Sequence, residues 1–131
     1  SQRKEEEVGK LKIAMGGMQK NEMRDAILKG CPDAETIVTT DMGAVPMLKD
    51  GRADYYFGAC ESGGGSAISI LIGLIGYGKC CTVCKNGGKP DRTEIERFVE
   101  AGKICFGMTV SNIDGTVPVL MDVLMEKEAE K

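Results

Sequence analysis

The segment best suited to chemistry is residues 60–66, of sequence Cys-Glu-Ser-Gly-Gly-Gly-Ser. It joins an apolar run that predicts a strand to an apolar segment that predicts a helix. Consecutive glycines let the backbone approach a ligand closely, and a helix start offers unpaired N–H groups and the positive end of a dipole. The pattern predicts a phosphate or carboxylate site at Ser62, Gly63, Gly64, Gly65 and Ser66. Alternatively, the glycines serve only a tight turn and close packing of the helix on the sheet.

Cys60 and Glu61 are the candidate catalytic residues. A cysteine at a strand end beside a helix N-terminus lies where the thiolate form is favoured. A carboxylate next to an anion site repels the anion. Glu61 is therefore expected to point away, to act as a base, or to bind a substrate hydroxyl or amine. The alternative for Cys60 is an inert thiol that packs as a small apolar group.

Composition excludes several classes of site. The chain of 131 residues, the size of one domain, contains no histidine. This excludes a Ser-His-Asp triad, a Cys-His dyad and histidine-ligated zinc. The net charge of −3 argues against a nucleic-acid partner, which usually selects a basic surface. With no tryptophan and six other aromatic residues, stacking platforms for single-stranded nucleic acid are not expected.

The remaining cysteines do not predict a metal site. Cys81 and Cys84 form one CxxC pair, but a zinc site would need a second pair. The pair lies in a predicted strand over residues 80–84, where alternation places Cys81 and Cys84 on opposite faces. A thioredoxin-type CxxC would lie at a helix start instead. We therefore predict no metal and no cofactor.

The pattern along the chain alternates between strands and helices. Short apolar runs bounded by glycine predict strands over 12–15, 36–40, 54–59, 80–84 and 104–108. Between and after them lie five segments with helical features, including a capping-box-like start at Asp91 and a last helix capped by Thr116. Pro46 and Pro118 are expected in the first turns of their helices. This alternation predicts an α/β fold: a single doubly wound domain with a five-stranded, mostly parallel sheet and helices on both faces.

The predicted domain covers residues 11–127, between a flexible tail at 1–10 and a frayed C-terminus at 128–131. In open parallel sheets, ligands bind beyond the carboxyl ends of the strands. Four more ligand-binding candidates follow the first two predicted strands and are expected at this edge, near the glycine-rich segment. They are Gly16, Gly17, Gln19 and Thr40.

The apolar stretches of the sequence indicate the cellular location of the protein and whether it forms a homodimer. The longest, residues 67–76, is about half the length of roughly twenty residues that a membrane helix needs. The N-terminal ten residues are charged and lack a secretory apolar core. We therefore expect a cytoplasmic protein without a membrane partner. The helix over 66–76 is apolar nearly all round, which predicts a homodimer through that helix.

Three segments resemble a YhfU-type bacterial family: residues 12–20 (KIAMGGMQK), 53–60 (ADYYFGAC) and 78–80 (GKC). The resemblance implies a compact cytosolic protein and no particular activity. A weaker similarity is to the B-type ribose phosphate isomerases, in which a strand ends in Cys-Gly-Thr-Gly. In those enzymes the cysteine is the catalytic base, and the glycines hold the phosphate-bearing sugar. Cys60, Ser62, Gly63 and Gly65 fall on that pattern.

The isomerases also carry an Asp-His pair after the first strand, where this chain has Met18 and Gln19. Ring opening by histidine is therefore impossible here. Two functions follow from the sequence. The first is binding of a small phosphate- or carboxylate-bearing metabolite through the glycine-rich loop. The alternative is a sugar-phosphate isomerase-like enzyme with Cys60 or Glu61 as the base.

Overall fold

The computed structural model describes residues 10–61, 65–85 and 87–130, with the backbone alone at 65–67. Within these residues, five strands alternate with five helices. The strands are β1 (Lys12–Gly17), β2 (Glu35–Val38), β3 (Tyr55–Cys60), β4 (Cys80–Cys84) and β5 (Cys105–Thr109). The helices are α1 (Lys20–Gly30), α2 (Asp41–Asp50), α3 (Gly65–Leu74), α4 (Arg92–Glu100) and α5 (Ile113–Ala129). The predicted α/β alternation is confirmed.

The strands form one parallel sheet in the order β2-β1-β3-β5-β4. Helices α1, α4 and α5 pack on one face of the sheet, and α2 and α3 pack on the other. Connections that step towards β2 cross the first face, and those that step towards β4 cross the second. This is what a single crossover handedness requires, and it confirms the doubly wound fold.

The central strands are apolar because helices cover both of their faces. Every residue of β3 is buried. On the face covered by α1, α4 and α5, the rings of Phe57 and Phe106 meet edge to face, with centroids 5.8 Å apart. The ring of Tyr55 lies 6.1 Å from that of Phe106. These aromatic contacts join β3 to β5 at the centre of the larger core.

The predicted start of the last helix needs correction. A 3-10 turn over Val110–Asn112 leads directly into α5, so the helix begins three residues before Thr116. The reason is Ile113, which is fully buried and extends the apolar side of the helix. Thr116 therefore lies inside α5 rather than capping it. At the other end α5 continues to Ala129, and Glu128 accepts a hydrogen bond of 3.0 Å from the Tyr55 hydroxyl.

Both prolines lie deeper in their helices than predicted. Pro46 is the sixth residue of α2, and Pro118 is the sixth residue of α5. A proline there leaves the carbonyl four residues earlier without its helical partner. For Pro46 that carbonyl belongs to Met42, a residue at the protein surface. By contrast, the predicted start of α4 is confirmed, because the Asp91 side chain accepts from the Thr93 and Glu94 amides.

The prediction that Cys81 and Cys84 point to opposite faces was wrong. The register of β4 against β5 shifts between Thr82 and Cys84. An extra residue at such a bulge reverses the alternation of the side chains that follow. As a result Cys81, Val83 and Cys84 all belong to the larger core. The described part of the chain nevertheless contains no group of three or more cysteine, aspartate or glutamate side chains placed to hold a metal ion.

No helix in the described ranges has the length and apolar character needed to span a bilayer.

Substitution of two methionines, one buried and one exposed, tests whether α5 packs in the core. Met121 is fully buried in α5, whereas Met42 is 60 % exposed in α2. We expect Met121→Ala to lower the free energy of unfolding by about 2–5 kcal/mol, because it leaves a cavity. The same change at Met42 should alter it by less than about 0.5 kcal/mol. Urea unfolding of both variants measures the difference, and equal effects would contradict the packing of α5.

Candidate functional site

The candidate site lies where β1 and β3 end side by side. All strands are parallel, so their carboxyl ends share one edge of the sheet. From this edge α1 leaves β1 towards one face and α3 leaves β3 towards the other. Adjacent strands whose helices diverge in this way open a crevice where ligands bind in doubly wound proteins. Of the predicted site residues, Gly16, Gly17 and Gln19 lie on the β1 side, and Cys60 and Glu61 lie on the β3 side.

The turn after β1 is held directly against the end of β3. The Met18 amide donates a 2.9 Å hydrogen bond to the Ala59 carbonyl. Gly17 has a φ of 76°, and a Cβ added there would collide with the Ala59 carbonyl oxygen. Glycine is therefore required at this position for both its conformation and its size. Gly16 lies one residue earlier, inside β1 and buried, rather than in the loop.

Gln19 is the strained residue of the edge. Among the described residues it is the one non-glycine with a positive φ, at φ 57° and ψ 45°. Its backbone carbonyl accepts from the Met23 amide, but its side chain makes no capping hydrogen bond to α1. The first turn of α1 thus lacks a side-chain cap at the crevice. A left-handed conformation in a non-glycine residue is disfavoured and often marks a functional position.

Cys60 ends β3 at the crevice, next to two hydroxyl side chains of β5 and its following turn. It is 9 % exposed, and its register partner on β5 is the buried Thr109. The Thr109 and Ser111 hydroxyl oxygens lie 3.1 Å apart. Glu61, the next residue after Cys60, is exposed. This side of the edge therefore holds the buried residues Cys60 and Thr109 next to the exposed residues Ser111 and Glu61.

Thr40, the predicted binding residue after β2, caps α2. Its hydroxyl oxygen accepts a 2.9 Å hydrogen bond from the Gly43 amide. The neighbouring Asp41 carboxylate accepts a 2.7 Å hydrogen bond from the Met42 amide. Asp41 was not among the predicted site residues, although its position directly after Thr40 at a helix start was visible in the sequence. The structure adds it to the rim of the site.

Tyr56 is the second residue that the sequence analysis missed. Its side chain is fully buried, and its hydroxyl has no hydrogen-bond partner among the described residues. A Cβ added at Gly16 would overlap this hydroxyl and would lie 3.1 Å from the Asp41 amide nitrogen. The hydroxyl is therefore beside the start of α2. Burial raises the pKa of Tyr56 above its ordinary value, and the Asp41 carboxylate adds to the rise.

A signal for Tyr56 was present in the sequence. A tyrosine in a buried strand needs a partner for its hydroxyl, and the apolar neighbours in residues 53–60 offer none locally. Tyr55, the residue before it, points to the opposite face and has Glu128 as its partner. The contrast between two successive tyrosines identifies Tyr56 as the exceptional one.

The glycine-rich segment is only partly visible. Ser62, Gly63 and Gly64 lie outside the described residues, as do the side chains of residues 65–67. Gly65 is the first residue of α3, so a helix does begin within this segment. The anion site at residues 62–66 stays a prediction.

Three other cysteines are poorly suited to reaction. Burial raises the pKa of Cys81 to about 12. It also raises the pKa of the Cys80 and Cys105 thiols, which are register partners on β4 and β5. A thiol must ionise to act as a nucleophile or metal ligand, so these residues serve the core.

Comparison with known proteins identifies the family. Residues 11–124 match the family model described as "Protein of unknown function DUF2620". Proteins called "Uncharacterized protein YhfU" in Escherichia coli (strain K12) and Shigella flexneri are each 37% identical over 114 residues, which cover 86% of this chain and 97% of theirs. No solved structure gives a significant match. With a family match over most of its length and relatives at this level of identity, the chain belongs to the DUF2620 family.

Proposed function

We propose that this protein binds a small phosphate- or carboxylate-bearing metabolite at the crevice between the carboxyl ends of β1 and β3. The observation that carries the proposal is the start of α1. There the strained Gln19 leaves the first helical turn without a side-chain cap, at the point where α1 and α3 diverge. Free amides at a helix start are donors for anions. The glycine-rich segment at 62–66 would supply further amides from the β3 side.

The carboxylates at the edge disfavour a ligand that carries only an anionic group. Glu61 is exposed directly after β3, and Asp41 is the first residue of α2 at the rim. A bare anion would be repelled by both groups. A metabolite that combines an anionic group with hydroxyl or amine groups suits the edge better, because the carboxylates can accept hydrogen bonds from those donors.

A thermal-shift panel tests the proposal. The probes are inorganic phosphate, glycerol 3-phosphate, ribose 5-phosphate and gluconate, each titrated to millimolar concentration. A ligand at one hundred times its Kd stabilises the folded state by about 2.7 kcal/mol, which corresponds to a rise in Tm of several degrees. We expect at least one hydroxylated anion to raise Tm more than inorganic phosphate does. A panel without any shift would count against binding at this edge.

Two substitutions of Gln19 distinguish the backbone strain at this residue from a role of its side chain in ligand binding. We expect Gln19→Gly to raise the free energy of unfolding by roughly 1 kcal/mol, because glycine adopts the left-handed conformation without the usual penalty. Gln19→Ala is the matched control, since it removes the same carboxamide but keeps the strained φ, and it should not stabilise. Both variants should reduce the ligand-induced rise in Tm. Full retention of that rise in both would exclude Gln19 from the site.

The catalytic alternative is an isomerase-like reaction with Cys60 or Glu61 as the base. The position of Cys60 favours it, because the thiol-bearing residue ends β3 at the crevice. If Cys60 is the base, Cys60→Ala should retain ligand stabilisation and lose conversion of a sugar phosphate, followed by NMR of the substrate. Cys31→Ala, which removes a buried thiol from the residue after α1, is the control and should retain both. If the wild-type protein converts no sugar phosphate, the binding function stands alone.

A homodimer through residues 66–76 is our proposal for the protein partner. Ile68 and Leu71 of α3 pack into the core, whereas Leu74 is 51 % exposed. Leu74→Glu should therefore shift the light-scattering mass from two chains to one. Met42→Glu, on the separate helix α2, is the matched control because Met42 is 60 % exposed and should leave the mass unchanged. A wild-type mass of one chain would contradict the proposal.

A further inference from the structure

We propose that the Tyr56 hydroxyl and the Asp41 carboxylate form a subsite for an alcohol hydroxyl of the bound metabolite. The ligand class is then a hydroxylated phosphate or carboxylate rather than a simple anion. This inference rests on the proposed binding function and assigns chemistry to one part of that edge. It draws on two residues that the sequence analysis did not select.

The first observation is the buried Tyr56 hydroxyl. It is a donor and acceptor without a partner among the described residues, in a side chain with no exposed surface. Buried hydroxyls in folded proteins are nearly always hydrogen-bonded, and leaving one unpaired is unfavourable. Because the environment favours the neutral phenol, Tyr56 keeps its proton and can donate it in a hydrogen bond. A ligand oxygen beside this group would supply the missing acceptor.

The second observation is the position of the hydroxyl at the start of α2. The site that a Gly16 side chain would occupy touches the Tyr56 hydroxyl and lies 3.1 Å from both the Asp41 amide nitrogen and the Thr40 carbonyl carbon. The negative charge of Asp41 contributes, after burial, to the raised pKa of Tyr56. One of its oxygens accepts from the Met42 amide, and a carboxylate can accept further hydrogen bonds. A buried donor and a carboxylate-bearing residue therefore meet at the same helix start.

This pairing selects an alcohol. A phosphate or carboxylate oxygen would accept from Tyr56 but would be repelled by Asp41. An ammonium group would satisfy Asp41 but would leave the Tyr56 hydroxyl without an acceptor. An alcohol hydroxyl both donates and accepts, so it can pair with both residues at once.

Three glycines lie side by side across β1, β3 and β5 near the proposed subsite. Gly16 of β1 is the register partner of Gly58 of β3, which is the partner of Gly107 of β5. All three positions are buried, and the space that a Gly16 side chain would take holds the Tyr56 hydroxyl. Thr40 is exposed and Asp41 is half-buried, so the subsite borders solvent at the rim of the edge. A ligand held at the crevice would extend a hydroxyl from this rim towards the Tyr56 hydroxyl.

The test compares Tyr56→Phe with Tyr55→Phe in the full chain. Binding of ribose 5-phosphate, glycerol 3-phosphate and gluconate is measured by calorimetry, together with the Tm of the free protein. We expect Tyr56→Phe to weaken the best-binding probe about 10-fold or more, the effect of one lost hydrogen bond. The Tm of the free variant should stay equal or rise, because an unpaired hydroxyl is removed. Tyr55→Phe should lower Tm, since it loses the bond to Glu128, and should bind as the wild type does.

Asp41→Asn distinguishes an alcohol from an anion in the subsite. Asparagine keeps an oxygen for the Met42 amide but loses the negative charge. Weaker binding of the hydroxylated probe supports the alcohol, whereas tighter binding would place the anionic group there and overturn the inference. Wild-type affinity in Tyr56→Phe would also overturn it. If no probe binds the wild-type protein, the proposed function itself fails, and the inference fails with it.

Discussion

The pairing of β1 with β3 is the constraint on which the candidate site depends. These parallel strands meet with Gly16 against Gly58 and Gly17 against Ala59, and the turn that follows is tied to the Ala59 carbonyl by the Met18 amide. Side chains at positions 16 and 17 would collide with Tyr56 and Ala59. Since α1 and α3 leave these strands towards opposite faces, the same pairing opens the crevice. The pairing of β1 with β3 therefore accounts both for the close backbone packing at Gly16 and Gly17 and for the crevice at the edge of the sheet.

The two tyrosine hydroxyls of the buried strand β3 differ in whether they have a hydrogen-bond partner. Tyr55 and Tyr56 are neighbours, and alternation along the strand sends them to opposite faces. Tyr55 reaches Glu128 at the far end of the chain, which joins α5 to the sheet. Tyr56 has no such partner among the described residues, and its hydroxyl lies beside the start of α2. Together with the strained Gln19, this places two unfavourable local features at the same edge, a pattern typical of binding sites.

The family relationship covers the part of the chain that holds these features. The family model spans residues 11–124, which include β1, β3, the start of α2 and the glycine-rich segment. The similar proteins are matched over nearly their whole length. The absence of histidine distinguishes this site from a ribose phosphate isomerase that opens a sugar ring with that residue. The chemistry proposed here uses hydrogen-bond donors and acceptors that this chain carries.

Local pattern was sufficient to predict the α/β class, the parallel sheet and the shared edge, because apolar runs and glycine breaks report strands and helices directly. It could not predict the bulge that turns Cys84 back beside Cys81, nor the early start of α5, because both follow from register and burial against distant strands. The strand order and the meeting of Gly16, Asp41 and Tyr56 were likewise decided by tertiary structure. These residues come from three separate segments, and only the packing of β1, β3 and α2 brings them together.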